Sequence, residues 1–369
     1  MINKNRLIKL TKDLISINSE NPPGQEAKVA QYVKELMLRM KGPIVRTYAF
    51  SKGRPNVIGI LKGKGSKGSL LLSPHMDTVP AGKNWKRDPF KPKISEGRLF
   101  GRGATDCKGN LAVSLEIMQS LSEEKIVLNR DVIIAATVDE ETGSHEGMIK
   151  LLERKILKPH FAMILDSDDF KVIIAQKGLI HFKVKIFGKK AHGAYPDRGV
   201  NAIEIASRVI GDLGNLNFHF RRHAYLKAPT INIGKISGGE KVNIVADYCE
   251  FEVDLRFLPG MNPAQILKQI KKIISSRIKK FSLHVDSLQV PYEISKRHTF
   301  IRGILESDKR FTLSGSEGAT VITFFKRHKI PAVATGFGSG GCAHIADEYV
   351  KVSNLYRGAL ALEKFIKEF

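Results

Sequence analysis

Apolar residues follow helical and strand spacing in turn along the first half of the chain. Residues 5–17 and 26–40 have helical spacing, which predicts two amphipathic helices. Short apolar runs predict buried strands at 56–61, 70–72, 132–138 and 161–165, with a helix at 109–121. Strands that alternate with helices predict an α/β fold, in which a mixed, mostly parallel sheet carries helices on both faces.

The pattern changes near Gly178. Residues 180–187 alternate apolar and basic side chains, which is typical of a half-exposed antiparallel strand. The elements predicted after it are a helix at 201–213, strands near 230–236 and 249–257, a helix at 263–278 and a strand at 282–289. This order, β-α-β-β-α-β, is that of a small open sandwich. We therefore expect a large domain formed by residues 1–178 and 290–369, with a small domain, 179–289, inserted into it.

Length and composition are those of a globular protein. The chain has 369 residues, of which 42% are hydrophobic, enough for two domains and a large core. No apolar run approaches the roughly 20 residues needed to span a bilayer, and the N-terminal segment lacks the apolar core of a secretory signal. Three cysteines are too few for a disulfide framework. We expect a soluble, cytoplasmic protein with no membrane partner.

The chain is strongly basic. Its 60 Lys and Arg against 37 Asp and Glu give a formal charge of +23, which can indicate a nucleic-acid or membrane ligand. The basic residues are spread along the chain, and clusters such as Lys271-Lys272 lack interleaved aromatic residues. We therefore interpret the charge as a solvated, Lys-rich surface and expect no nucleic-acid partner.

Acidic residues and histidines stand at the ends of several apolar runs. His75 and Asp77 follow the run 69–72, and as positions i and i+2 they share one face of a strand. The other residues at such ends or in glycine-rich segments are Asp106, Asp139, Glu140, Glu141, Asp166 and His344. Open α/β sheets bind ligands at the carboxyl ends of their strands. Two histidines and several carboxylates that converge there could hold one or two divalent metal ions.

These segments belong to an ordered set of motifs. The set is Asn21-Pro22-Pro23-Gly24, His75-Met76-Asp77-Thr78-Val79-Pro80, Gly101-Arg102-Gly103, Asp106, Lys108-Gly109, Asp139-Glu140-Glu141 and Ala343-His344. In the order and spacing of these motifs, the chain resembles peptidase family M20 over nearly its whole length. That family of metal-dependent hydrolases includes acetylornithine deacetylase, succinyl-diaminopimelate desuccinylase, aminoacylases and glutamate carboxypeptidase.

The resemblance implies a large di-metal catalytic domain. By it, His75 and Asp166 are ligands of one metal ion, Glu141 and His344 are ligands of a second, and Asp106 bridges the two. The implied cofactor is two divalent ions, for which we favour zinc, with cobalt or manganese as alternatives. The resemblance also makes Glu140 the general base for a metal-activated water. Asp77 would orient His75 from behind.

The resemblance makes the inserted domain a lid and dimerisation domain. His192, in Ala191-His192-Gly193, matches a histidine that reaches the partner's active site, which implies a homodimer. Taken alone, His192 is an ordinary surface histidine beside Lys189 and Lys190. Asn243 and Arg256 match positions that contact the substrate carboxylate, and an Arg fork suits a carboxylate. The backbone N–H of Gly340 offers a further donor to the same small-molecule substrate.

Two departures from the family pattern bear on the substrate. Residues 165–168 lack the Gly-Glu-Pro of the desuccinylase branch, so Asp168 or Asp169 competes with Asp166 as the ligand. Ala319 stands where desuccinylases carry a substrate-binding Arg, and Glu317 where Asp is usual. This weakens the case for a doubly acidic, succinyl substrate.

The function that these residues indicate is hydrolysis of the amide bond of an N-acyl amino acid with a free carboxylate. A dipeptidase or carboxypeptidase of the same family is the alternative. A more distant alternative is a non-catalytic binding protein on the same fold, since fold does not fix function.

Overall fold

The computed structural model describes residues 1–64 and 67–369. The helices in these ranges are α1 (Lys4–Ser16), α2 (Ala27–Arg39), α3 (Lys108–Glu124), α4 (Met148–Glu153), α5 (Ala202–Gly214), α6 (Pro263–Arg277), α7 (Thr299–Ser307), α8 (Ile322–Arg327) and α9 (Val352–Glu368). The strands are β1 (Ile44–Ala49), β2 (Pro55–Leu61), β3 (Ser69–Ser73), β4 (Lys93–Ser95), β5 (Arg98–Phe100), β6 (Asp131–Ala136), β7 (Phe161–Leu165), β8 (Lys171–Gln176), β9 (Gly178–Phe187), β10 (Thr230–Gly238), β11 (Tyr248–Phe257), β12 (Phe281–Gln289), β13 (Tyr292–Glu293), β14 (Thr312–Ser316), β15 (Ala332–Thr335) and β16 (Tyr349–Lys351).

The chain forms two compact units. Unit 1 consists of Met1–Ile174, Ile294–Ser314 and Phe324–Phe369, and unit 2 of Ala175–Glu293 and Gly315–Thr323. The expected insertion, residues 179–289, lies inside unit 2. Unit 2 also includes Gly315–Thr323, a segment from the end of β14 to the start of α8 that the periodicity of the sequence did not assign to the inserted domain.

The large sheet of unit 1 is mixed. Its strand order is β1-β2-β6-β3-β7-β15-β8. The central strands β6, β3, β7 and β15 run parallel to one another, whereas the outer pairs are antiparallel. The predicted α/β fold is thus confirmed, with its parallel part in the middle of the sheet.

Helix α3 is the central helix of unit 1. Nearly every residue from Lys108 to Leu121 is buried, and α1 and α9 pack against it. Its Glu116 is fully buried and pairs with Arg6 of α1 at 2.6 Å. Because α3 begins at Lys108, two residues after Asp106, this packing helps to fix the position of that carboxylate.

Unit 2 contains an antiparallel sheet of order β10-β11-β9-β12, with α5 and α6 packed on it. The element order is the predicted β-α-β-β-α-β. On β9, Ile180, Phe182, Val184 and Ile186 are buried, while the intervening basic residues lie on the other face. Helices of the described ranges all fall short of the length and apolarity that a bilayer crossing demands.

The packing of β9 yields a stability prediction. Phe182 is 1% exposed and Phe187, on the same strand, is 40% exposed. We expect Phe182→Ala to cost about 3–5 kcal/mol, because it leaves a cavity in the core. Phe187→Ala should change stability by less than roughly 1 kcal/mol. The measurement is urea denaturation followed by far-ultraviolet circular dichroism, and equal midpoints for the two variants would contradict the packing.

Candidate metal centre

The centre lies in unit 1, where the loops after four parallel strands meet. His75 follows β3, Glu141 follows β6, Asp166 follows β7 and His344 follows β15. These strands are neighbours with the same direction, so their carboxyl ends lie along one edge of the sheet. Asp106 enters from the loop that precedes α3.

The carboxylate of Asp106 stands between the two histidines. Its Oδ1 lies 2.9 Å from Nε2 of His75, and its Oδ2 lies 3.0 Å from Nε2 of His344. Asp166 Oδ1 is 3.7 Å from the same nitrogen of His75. Glu141 Oε2 is 3.3 Å from the same nitrogen of His344. Asp106 is therefore common to two sets of side chains.

The two sets have the donors and spacing of metal sites. One consists of His75, Asp106, Cys107 and Asp166, and the other of Asp106, Glu141 and His344; within each, the ligand atoms lie within 4.8 Å of one another. Mixed imidazole and carboxylate donors suit zinc, cobalt or manganese. The chain's own residues thus fit divalent metal ions at this edge of the sheet.

Cys107 is close to the first set but is occupied otherwise. The backbone N–H of His75 donates to its Sγ at 3.1 Å. Burial raises the pKa of the thiol to about 12, and the thiolate is the form that binds metals. Cys107 is therefore a buried, protonated thiol that supports the His75 backbone.

The histidines and the shared carboxylate have opposite pKa shifts. Burial would raise the pKa of Asp106, but the hydrogen bonds to His344 and His75 outweigh it and lower that pKa. Hydrogen bonds to Asp106 and then Glu141 raise the pKa of His344 to about 10. A metal ion that binds His344 must therefore displace a proton.

Asp77 organises two of the loops. Its carboxylate accepts the backbone N–H groups of Glu140 and Glu141 at 3.1 and 3.0 Å, and the side-chain amide of Asn21 at 2.8 Å. Nδ1 of His75 is 3.5 Å from that carboxylate and 3.0 Å from the carbonyl oxygen of Asp77. Asp77 thus faces His75 as expected, but the nearer partner of the ring is the main-chain oxygen.

Asp139 closes the turn that carries Glu140 and Glu141. It has a left-handed backbone, with φ of 69°. Its carboxylate accepts from Thr142 Oγ1 at 2.5 Å and from the backbone N–H of Glu146 at 2.9 Å. Arg54 pairs with it at 3.0 Å. The residue therefore has a structural role in this turn.

Glu140 is a half-buried carboxyl group close to other acidic groups. Burial, and next the negative charge of Asp166, raise its carboxyl pKa well above the usual value. Such a shift moves a carboxylate towards the pH at which it can exchange protons in catalysis. In the part of the chain that the structure describes, neither metal-ligand set includes Glu140.

The three acidic residues after β7 have separate environments. Asp166 lies in the first ligand set. Asp168 pairs through its backbone with Gly338, and burial raises its pKa to about 6. Asp169 accepts the N–H of Gly340 at 2.9 Å and the amide of Asn354 at 3.0 Å. The geometry therefore favours Asp166 over the two competitors.

The contacts of Gly340 and Arg256 differ from the sequence-based expectations. The N–H of Gly340 is donated to Asp169 rather than being free for a substrate. Nε and Nη2 of Arg256 bind Asp254 at 2.6 and 2.8 Å. An Arg two residues from an Asp on one face of a strand pairs with it before any substrate arrives, because both point the same way. A substrate that binds Gly340 or Arg256 would have to displace the carboxylate of Asp169 or Asp254, respectively.

His192 and Asn243 lie together in unit 2. His192 forms an antiparallel bridge with Ile244, and the N–H of Gly193 donates to the carbonyl of Asn243 at 2.8 Å. Both side chains are exposed. Nδ1 of His192 accepts the N–H of Ala194 at 3.1 Å. Nε2, the other ring nitrogen, takes no part in this hydrogen bond.

Sequence reasoning missed two residues of this centre. Asn21 lies in the motif Asn21-Pro22-Pro23-Gly24, but the sequence gives no sign of its hydrogen bond to Asp77. Glu348 is fully buried and binds the loop of Asp106. Because Glu348 directly follows Asp347, the two resemble a pair of solvated acidic residues. No signal in the sequence marks Glu348 as buried.

Known proteins match this chain in sequence and in fold. The model of Peptidase family M20/M25/M40 matches residues 71–368. Acetylornithine deacetylase of Buchnera aphidicola subsp. Acyrthosiphon pisum (strain Tuc7) is 32% identical over 313 residues, covering 82% of this chain and 81% of the relative. A tripeptidase from Staphylococcus aureus has a TM-score of 0.81 at 26% identity, covering 100% of this chain and 99% of its own. Aminopeptidase PepT from Bacillus cereus has a TM-score of 0.84 at 23% identity over 100% and 99% of the two chains, a likeness of fold.

The environments of the acidic residues after β7 lead to a test of the ligand set. We expect Asp166→Asn to lower the zinc retained per chain, because a neutral amide is a weaker ligand than a carboxylate. Asp168→Asn is the matched control and should retain as much zinc as the unmodified protein. The measurement is mass-spectrometric metal analysis after zinc loading and gel filtration. Metal loss in Asp168→Asn alone would transfer the ligand role to Asp168.

Proposed function

Because the chain belongs to peptidase family M20/M25/M40, a family of metal-dependent hydrolases, we propose that it hydrolyses the amide bond of an N-acyl amino acid. The observation that carries the proposal is the carboxylate of Asp106, shared between two ligand sets, with the half-buried Glu140 beside them. Such an arrangement suits a reaction in which a water molecule attacks an amide carbonyl.

Each residue of the centre has a role in this proposal. His75 and Asp166 would hold one divalent ion, Glu141 and His344 the other, and Asp106 both. When bound, the ions would polarise the amide carbonyl and lower the pKa of a water molecule. The carboxylate of Glu140 would accept the proton of that water and pass it to the leaving amine nitrogen. Asp77 would hold His75 and the turn that carries Glu140 in position relative to each other.

The relatives and the chain's own residues support a singly acidic substrate. The acetylornithine deacetylase of Buchnera aphidicola, at 32% identity, acts on an N-acyl amino acid, as its name states. Glu317 is engaged in unit 2, where it pairs with the buried Lys177 at 2.5 Å and accepts the N–H of Lys227 at 2.9 Å. Ala319, two residues later, stands where the resemblance to desuccinylases would place an Arg for a second substrate carboxylate.

A peptidase acting on short peptides is the second candidate. The similarity to the Staphylococcus aureus tripeptidase, at 26% identity over the whole chain, favours it. Both reactions cleave an amide with the same centre, so they differ in the groups that bind the two ends of the substrate. The family membership argues against the non-catalytic alternative.

The proposal extends to a homodimer in a reducing, cytoplasmic setting. Four observations support it. The ring of His192 is exposed. Strand β10 is an edge of the unit 2 sheet, where a second copy can add. Ile203 of α5 and Ile236 of β10 are 40% and 51% exposed. Cys107, Cys249 and Cys342 are free thiols, which suits a reducing compartment.

A substrate panel tests the reaction. We expect the zinc-, cobalt- or manganese-loaded protein to release amine from an N-acetyl amino acid faster than from dipeptides, tripeptides or N-succinyl diacids. Glu140→Gln is the control: it should retain metal and lower kcat at least about 10²-fold, because the proton acceptor is lost. Faster turnover of tripeptides would favour the peptidase. Full activity in Glu140→Gln would refute the general-base role.

Mixing two inactive variants tests the dimer. His192→Ala and Glu140→Gln should each be inactive, and their mixture should regain part of the activity, because one site of a hybrid dimer has both groups intact. The matched control mixes Glu140→Gln with His344→Ala. Both changes affect residues that belong to the same chain's centre, so no hybrid site is complete. Absence of recovery after verified subunit exchange, or a fully active monomer in sedimentation, would contradict the proposal.

A further inference from the structure

Glu348 is a buried carboxylate with an unusual number of donors. Its Oε2 accepts from Arg102 Nη1 at 2.6 Å and from the N–H of Gly103 at 3.0 Å. Its Oε1 accepts the N–H groups of Thr105 and Asp106 at 2.8 and 3.1 Å. The side chain is 1% exposed. Four donors therefore converge on one carboxylate that takes no direct part in the ligand sets.

These bonds join the two segments that carry Asp106 and His344. Glu348 lies four residues after His344, and one of its donors is the backbone N–H of Asp106 itself. Thr105 adds a second connection, because its Oγ1 donates to the carbonyl of Tyr349 at 2.7 Å and accepts the N–H of Ser339 at 3.0 Å. The distance between Asp106 and His344 is thus set by contacts behind them.

The charge of Glu348 is balanced within the same cluster. Arg102 is 1% exposed, donates from Nη2 to the carbonyl of Ala81 at 3.2 Å, and stacks on Trp85, with 5.1 Å from its guanidinium carbon to the ring centroid. Removing one partner of a buried ion pair leaves the other charge uncompensated. Arg102 and Glu348 therefore each depend on the other to remain buried as charged groups.

We propose that Glu348 is a positioning residue for the second metal-ligand set, Asp106, Glu141 and His344. The inference rests on the ligand assignment of the proposed function. His344 depends on such support more than His75 does, because its side chain is 53% exposed whereas that of His75 is 2% exposed. In the first set, Asp77 and Cys107 hold His75, and Asp166 follows the parallel strand β7. Loss of Glu348 should therefore affect the second metal ion more than the first.

Glu348→Gln tests this inference. The amide keeps the size of the side chain, but its NH₂ must oppose two of the four donors. We expect binding of the second ion to weaken about 10- to 100-fold, the usual effect of losing a group behind a metal ligand, while the first changes little. The measurement is calorimetric titration of the metal-free protein with cobalt(II) chloride, which gives the stoichiometry and both affinities without an activity assay.

Glu116→Gln is the matched control. Glu116 is also fully buried and also accepts from an Arg and a backbone N–H, namely Arg6 Nε and the N–H of Asn3, both at 2.6 Å. It should lower the thermal midpoint but leave both metal affinities unchanged. If Glu348→Gln lowers the thermal midpoint in the same way and its metal isotherm equals that of the unmodified protein, Glu348 is only structural and the inference is wrong.

A milder variant covers the case in which Glu348→Gln does not fold. Thr105→Val removes the two hydrogen bonds of Oγ1 at nearly constant volume, and should weaken the second ion in the same direction, by less. An unchanged second affinity in a folded Thr105→Val protein would then overturn the inference. An unmodified protein that binds fewer than two ions would instead contradict the ligand assignment and the proposed function.

Discussion

The sharing of one carboxylate by two histidines is the constraint on which the centre depends. Asp106 can face both His75 and His344, at 2.9 and 3.0 Å, only if three separate parts of unit 1 are held in fixed positions. Helix α3 supplies one support, because its buried first turn begins at Lys108, two residues after Asp106. Glu348 supplies another, because it binds the backbone of the same loop. A rigid surround of this kind is what a metal site requires, since ligands left mobile bind weakly.

The parallel strands provide the rest of the geometry. Strands β6, β3, β7 and β15 end at one edge, and each ends in a loop that carries a ligand or the candidate base. In the loop after β6, Asp77 accepts the N–H groups of Glu140 and Glu141, and Asp139 accepts the N–H of Glu146. Carboxylates therefore serve two purposes here. Some carboxylates face the metal centre. Others bind backbone N–H groups and so hold in place the loops that carry the first kind.

Unit 2 shows how tertiary contacts reassign polar residues. The alternation along β9 correctly predicted which of its side chains enter the core, because a strand places successive residues on opposite faces. The structure shows the same alternation along β11. The same geometry aligns Arg256 with Asp254, so that the fork expected for a substrate is already occupied. In unit 1, Gly340 is likewise bound to Asp169. Matching a motif identifies such residues, but only their neighbours show whether their donors are free.

The sequence by itself determined the α/β architecture, the order of elements in unit 2 and the residue types of the metal centre. Periodicity and strand-end position are local properties, and they placed His75, Glu141 and Asp166 at the ends of predicted strands. Asp106 and His344 were found in glycine-rich segments, and the family resemblance implied their ligand roles. The short strands β4, β5 and β16 carry too few residues for a periodicity, so only the fold revealed them. The tertiary structure alone decided that Asp166 rather than Asp168 or Asp169 meets His75, and that Glu348 lies behind Asp106. These pairings join residues far apart in the chain, and no local pattern encodes a contact that packing creates.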